Sequence, residues 1–446
     1  MARPSFLKLP LKALILGTVV TFGPGCGRGP NAEAPGLQKP EDTSIPQIEV
    51  PADGPKLGAL AEVTPIFERP SAASKQIGYL HAGARVPRAK EAYSKEGCPG
   101  GWYPIRPRGF VCTGEVATTD LGHPTLVAMA LAPKLDQPLP YAYARTRQDT
   151  PLFERDPGRD NAIRDVGKLR AKSALAIVGS WNALDHEGKP RKLGMLNNGR
   201  FVDAAELEAA QIADFKGVEL NEKLNLPIAF VVKRGVRYWM VEKAEAEKLG
   251  KLEYHAIIPL IGRYREVESL RYWATVDGKY VRHRDVTVIR RRNVWPDFAK
   301  DDQKWIDVSV VTGTLVLYEG RRPIFATLIS VGRDRLGDPK TTASTALGVF
   351  DVSQKHVTLT RVDPKSIADY IDVYDAPWAL EMSSGQMLLG APWHDRFGIE
   401  HGLGSVQLSP VDAARVWHWA EPLLPESWHG AAQPADGRKT IVYVRK

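Results

Sequence analysis

The sequence predicts a mainly β protein built from several modules along 446 residues. Three observations carry that expectation. Apolar residues come in short runs rich in Val, Ile, Tyr and Trp, bounded by Gly and Pro. Thr64-Pro65-Ile66-Phe67-Glu68-Arg69 returns as Thr150-Pro151-Leu152-Phe153-Glu154-Arg155, so one supersecondary unit is repeated. Tyr272–Thr275 and Lys279–Val281 flank Val276-Asp277-Gly278, and an Asp-Gly pair accommodates the positive φ of a hairpin turn. A single core rarely serves a chain of this length, so three or four units are expected. With 43% apolar and 25% charged residues the composition is globular.

Residues 1–26 read as a secretory signal. Arg3, Lys8 and Lys12 make a basic start, and Ala13 to Phe22 is an apolar run too short to anchor in a bilayer. Gly23-Pro24-Gly25-Cys26 resembles a lipoprotein processing site, with Cys26 as the lipidated residue; the plainer alternative is a cleaved signal with an incidental cysteine. Either way the mature chain is expected to leave the cytosol. Residues 27–58 are rich in Pro, Gly, Ala and acidic side chains without apolar periodicity. They read as a flexible tether, because such a segment buries too little surface to offset its chain entropy.

The two repeat copies occupy residues 59–120 and 140–212. Each leads through polar turns to a strand-like run, Ala84 to Val86 and Ala174 to Val178. Each ends on a Gly-aromatic-Val signal, Gly109-Phe110-Val111 and, with one inserted Arg, Gly199-Arg200-Phe201-Val202. This order resembles bacterial SH3-like domains, small β-barrels that accompany cell-wall enzymes. Phe67, Trp102, Tyr103 and Phe110 either line a ligand groove or fill the barrel core. Cys98 and Cys112 close a short loop in the first copy, and in an exported chain such cysteines pair. Residues 213–298 read as a third β-rich module. Leu226 to Val232 is a strand candidate there, Glu242 to Leu252 has helical composition, and Arg290-Arg291-Arg292 reads as a solvated edge.

From residue 302 to 446 the strand signals run on through Trp305–Ser309, Thr314–Gly320 and Pro323–Val331 to Thr345-Ala346-Leu347-Gly348-Val349-Phe350 and Asp375-Ala376-Pro377-Trp378. The stretch Gln386 to Ala413 carries the densest motif. Its Trp393, His394, Phe397 and Gly398, then Gly404, Val406, Leu408, Ser409, Pro410, Asp412 and Ala413, fall into a pattern that resembles the active-site segment of the L,D-transpeptidases (YkuD-type). The resemblance implies an L,D-transpeptidase-type β-sandwich at the C-terminus. It also implies acyl transfer on peptidoglycan stem peptides by a cysteine nucleophile and a histidine base.

The chemistry-bearing positions depart from that pattern. Leu389 stands where the base histidine belongs. Gly402, Leu403 and Ser405 stand where the serine, second histidine and nucleophilic cysteine belong. Serine depends on a positioned base to lose its proton, so His401 is the candidate substitute base for Ser405, with His394 a second. Trp393, His394, Phe397, Gly404 and Gln407 are the expected substrate-binding residues.

Three readings follow. The first is a non-catalytic, lipid-anchored envelope protein that binds peptidoglycan or a cell-wall enzyme. The second is an acyl transferase or hydrolase using Ser405. The third is a structural protein with an empty pocket. A net charge of +8 suits an anionic envelope surface, and a solvated basic surface explains it equally. There is no basic stripe with interleaved aromatics, so nucleic acid is not an expected partner. Three cysteines without paired short spacing give no metal motif, and no cofactor is expected.

Overall fold

The computed structural model describes residues 48–185, 187–242, 245–361 and 373–446. The signal, Cys26 and most of the tether lie outside them. No helix among the described residues is long and apolar enough to cross a membrane. The fold is mainly β, as the residue patterns predict, with a ten-residue helix at Pro410–Trp419.

The C-terminal region is a two-layer arrangement around one long strand, Gly348–Arg361. Its first half pairs with Ile441–Arg445, which lies parallel to Lys304–Ser309; Thr314–Glu319 and Arg322–Leu328 follow antiparallel. Its second half pairs with Val373–Met382, and Met387–Gly390 and Val406–Leu408 extend that layer. Side chains of both layers meet in one core that includes Ile306, Leu317, Val357, Trp378 and Leu380. The helix seals it with Ala413, Val416 and Trp417. Ser409 caps the helix by accepting from the Asp412 N–H at 3.2 Å, and Pro410 fits the first turn because its missing N–H has no partner there anyway.

The repeat copies are stitched into this region by strand pairing. In the first, Lys56–Ala59 pairs with Arg85–Pro87 and Ala117–Thr118, so the module begins inside the stretch read as tether. Its Gln76–Leu80 strand pairs with Gly430–Ala432. In the second, Ala174–Ile177 pairs in parallel with Val373–Met382. The Asp375-Ala376-Pro377-Trp378 run receives this module: Tyr143 donates to the Asp375 carbonyl at 2.5 Å, and Trp378 Nε1 donates to Pro138 O at 2.7 Å.

Phe67, Trp102 and Phe110 pack with one another and with Cys98 and Cys112. Trp102 and Phe110 are buried, so these rings fill an interior. Cys98 and Cys112 are disulfide-bonded across a sequence separation of 14, with Cα atoms 5.8 Å apart. Replacing both with serine is expected to destabilise the first module by about 3 kcal/mol, from the entropy the cross-link removes from the unfolded chain. Urea unfolding of oxidised and double-mutant protein, followed by tryptophan fluorescence, measures it; equal midpoints would refute it.

Two expectations for the third module are corrected. Glu242 to Leu252 is not helical: Arg237–Glu242 and Glu245–Lys251 form an antiparallel hairpin. Cross-strand contacts outweigh the helix propensity of its Glu, Lys and Leu residues, as when Lys248 lies over the Trp239 ring at 5.9 Å. The Arg290–Arg292 run is not merely a solvated edge. Arg292 donates to the buried Asp307 carboxylate at 2.8 Å, Arg445 donates to the same group, and Arg291 bonds Leu226 O. The Asp-Gly hairpin forms as expected, with Gly278 at φ +80°.

A buried polar seam joins the first module to the C-terminal layers. Tyr79 Oη and His356 Nδ1 are 3.0 Å apart, His81 and His429 stack at 4.3 Å, and Thr358 Oγ1 links His429 Nε2 to Asp375. Burial lowers His81 to about 4 and His429 well below its ordinary value, and raises Asp375 to about 7. A histidine lowered on folding binds its proton better when unfolded, so stability falls as pH drops from about 6.5 to about 4. Asp375 works in the opposite sense from about pH 7 down to 4. His81 and His429, with His255 and His394 also lowered to about 4, outnumber Asp375 and Asp412. Net destabilisation is therefore expected on acidification from about pH 6.5 to 4. Chemical denaturation across that range checks it, and a flat or rising stability would contradict it.

Candidate functional site

The segment 386–413 forms two parallel strands and the turns between them. Met387–Gly390 lies beside Val406–Leu408 with Leu389 opposite Gln407. Between them the chain turns through Trp393–Gly398 and then Gly402–Gly404. Gly398, Gly402 and Gly404 have φ of +89°, +104° and +100°, conformations that side-chain-bearing residues rarely adopt. Backbone bonds fix the second turn on the facing loop: His401 N donates to Val331 O at 2.8 Å and Arg333 N to Gly402 O at 3.1 Å. Thr345 Oγ1 donates to Gly404 O at 2.9 Å, and Gln386 bridges Ala346 N and Ser344 O.

His394 is held by both ring nitrogens. Arg396 N–H donates to its Nδ1 at 3.0 Å, which leaves the proton of the neutral ring on Nε2; that N–H donates to Gln407 Oε1 at 2.6 Å. Burial is the main reason its pKa falls to about 4, opposed by the Gln407 hydrogen bond. The ring is therefore neutral near pH 7, with no lone pair left for a substrate or for Ser405. His401 stands against it, ring centroids 4.4 Å apart, and burial lowers its pKa as well.

The structure separates the residues of the sequence motif. Leu389 is 9% exposed and packs among Ala376, Ala379 and Met387 with Trp393 alongside. The position where the sequence resemblance would place a histidine is thus part of an apolar wall. Leu403 is 41% exposed and faces solvent. Ser405 is half-buried, and no hydrogen bond joins its Oγ to an imidazole among the described residues. Phe397 is 1% exposed and stacks on Phe215 at 5.7 Å, so it supports the Trp393–His394 wall from within the core instead of contacting ligand. Gly404 is buried, and a Cβ there would meet Gln386 Nε2 at 2.8 Å. Gln407 orients His394.

A cavity of about 790 Å³ opens beside Trp393 and His394, and Ser405 is not among the residues that line it. Its other walls come from Arg145 and Glu208 of the second repeat and from Phe215, Tyr254 and His255 within the stretch 213–298. Sequence reasoning missed these residues. They come from three distant segments, and none carries a local signature.

No protein-family model matches the chain, and no curated protein matches it. Among solved structures it is similar to an L,D-transpeptidase (residues 123–326) from Xylanimonas cellulosilytica, at 16% identity and TM-score 0.24, covering 34% of this chain and 65% of that one. It is similar to one from Stackebrandtia nassauensis at 16% identity and TM-score 0.23, covering 34% and 62%. A third, from Mycobacterium smegmatis, has 12% identity and TM-score 0.25, covering 53% and 94%. The chain thus spans less than two thirds of the first two structures.

Proposed function

We propose that this chain is an exported, lipid-anchored protein of the cell envelope that binds peptidoglycan without processing it. The carrying observation is the lack of a base beside Ser405. Leu389 is packed in an apolar cluster, Leu403 faces solvent, and both nitrogens of His394 are engaged. A hydroxyl with no base within hydrogen-bond reach is a poor nucleophile at neutral pH. The sequence resemblance to L,D-transpeptidases, the SH3-like order of the repeats and the net positive charge support a wall ligand, with a cell-wall enzyme as a further partner. The signal and Cys26 motif support export and anchoring.

One observation favours a catalytic second reading. His401 is neutral at physiological pH, because burial lowers its pKa, and it lies four residues before Ser405. The chain turns between them at Gly402 and Gly404, whose φ values are +104° and +100°.

Incubating the purified protein with disaccharide tetrapeptides, followed by mass spectrometry, tests both readings. Retained ligand is expected, with no release of terminal D-Ala and no covalent adduct. Turnover that disappears in Ser405→Ala would establish the second reading and end the first. Mass spectrometry of the mature protein from its own membrane fraction tests anchoring: an acylated Cys26 N-terminus is expected, and a chain starting elsewhere would remove the lipid.

A further inference from the structure

We propose that the cavity between the second repeat, the third module and the Trp393–Asp395 turn binds a small amphoteric ligand, one bearing a carboxylate and an ammonium group on a body the size of a short peptide. Its volume, about 790 Å³, lies within the range of about 300–1,000 Å³ usual for ligand pockets. Two polar atoms of its wall residues, Arg145 Nε and His255 Nε2, are buried and lack a hydrogen-bond partner among the described residues. Folded proteins rarely leave such atoms unpaired, so a missing partner is the ordinary explanation.

The walls carry charges of both signs that are not paired with one another. Glu208 faces Arg145 directly across the strand ladder, yet the two make no ion pair. Asp214, Glu253 and Asp395 likewise make no ion pair with a described residue. Arg234 lies over the Tyr254 ring at 4.8 Å, and that ring stacks on His255 at 3.7 Å. Four carboxylates outnumber two guanidinium groups, which disfavours a purely anionic ligand. No three of the His, Cys, Asp and Glu side chains among the described residues are placed to hold one metal ion, which disfavours a resident cation. A ligand with both charges satisfies both sets, while Trp393 and Phe215 flank its apolar body.

His255 also supplies a reporter. Its pKa is lowered to about 4, first by burial, with Arg234 contributing and Asp395 opposing. A ligand carboxylate placed at Nε2 favours the charged ring and moves that pKa up.

The inference rests neither on peptidoglycan binding nor on Ser405, so the two can fail separately. Calorimetric titration with the free tripeptide Ala-Lys-Ala, its C-terminal amide, its N-acetyl form and inorganic phosphate tests it. The free tripeptide is expected to bind, and blocking either end is expected to weaken it by about tenfold or more. Arg145→Gln should weaken the free acid by about tenfold and the amide little. Should that variant fail to fold, the pH titration of the His255 ring protons by NMR in the unmodified protein decides: the tripeptide must raise the His255 pKa. Equal binding of amide and free acid, phosphate binding as tightly as the tripeptide, or no heat together with an unmoved His255 would each overturn the assignment.

Discussion

Alanine at Asp412 is expected to remove about 3 kcal/mol of stability, among the larger effects of a single substitution. The residue is 1% exposed and sits in the first turn of the helix Pro410–Trp419. Its carboxylate accepts from Gly217 N–H with both oxygens, at 2.9 and 3.0 Å, and from Thr327 Oγ1 at 2.5 Å. Gly217 directly precedes the short strand Val218–Glu219, and Thr327 lies in the strand Arg322–Leu328. One side chain therefore ties the helix to two distant segments. Removing it leaves the Gly217 N–H unpaired and Thr327 Oγ1 with only its longer bond to Leu328 O at 3.2 Å, at about 1–3 kcal/mol for a buried group left without its partner. Part of that loss is offset, because burial already raises the Asp412 pKa to about 6 and so makes the ionised group costly to keep. Asp412→Asn keeps one acceptor oxygen and should lose about half as much. Urea unfolding gives the totals, and faster exchange of the Gly217 amide locates the damage. A loss below about 1 kcal/mol with an unchanged Gly217 amide would sink this account.

Asp412 also shows which features are legible in the sequence and which are not. Ser409, Pro410 and Asp412 read in the sequence only as motif positions, with no helix expected from them, although the cap of the helix they start is local, with Ser409 accepting from the Asp412 N–H. The Gly217 partner of the Asp412 side chain is 195 residues away, and no local pattern encodes it. The same division holds elsewhere. The Thr64 and Thr150 repeats, the Asp277-Gly278 hairpin and the strands from Trp305 onward depend on short-range patterning and are readable. That Gln76–Leu80 pairs with Gly430–Ala432, or that Arg292 bonds Asp307, depends on tertiary assembly and is not. The hairpin at Arg237–Lys251 is deceptive because its Glu, Lys and Leu residues favour a helix in isolation, and pairing with Trp239 and Val241 decides otherwise. At the candidate site, Leu389, Leu403 and Ser405 stand out as departures from a motif. The cavity beside Trp393 leaves no such trace, because three modules contribute its walls.

On the non-catalytic reading proposed above, placing cysteine at 405 and histidine at 389 and 403 is expected to yield a protein that forms an acyl-enzyme. Ser405→Cys alone should give a thiol that alkylating reagents reach but no acyl-enzyme, since a free thiol near its ordinary pKa of about 8.5 is mostly protonated at neutral pH. Adding Leu389→His and Leu403→His supplies imidazoles at the two positions the resemblance assigns to them. The gain should be far more than additive, because nucleophile and base act as a unit. The geometry sets two limits. Histidine at 389 enters a cluster of Ala376, Ala379 and Met387, whose burial will depress its pKa and keep it neutral, a state suited to a base. Restoring serine at 402 is excluded: Gly402 has φ +104°, and a Cβ there would meet Gln407 Nε2 at 2.3 Å, displacing the amide that orients His394. The triple variant, not a quadruple one, is therefore the informative protein. Mass spectrometry after exposure to a carbapenem reads the outcome as a covalent adduct. An adduct on the triple variant and none on Ser405→Cys is expected. A full adduct on Ser405→Cys alone would mean that His401 or His394 already serves as base, and the non-catalytic reading would fall with it.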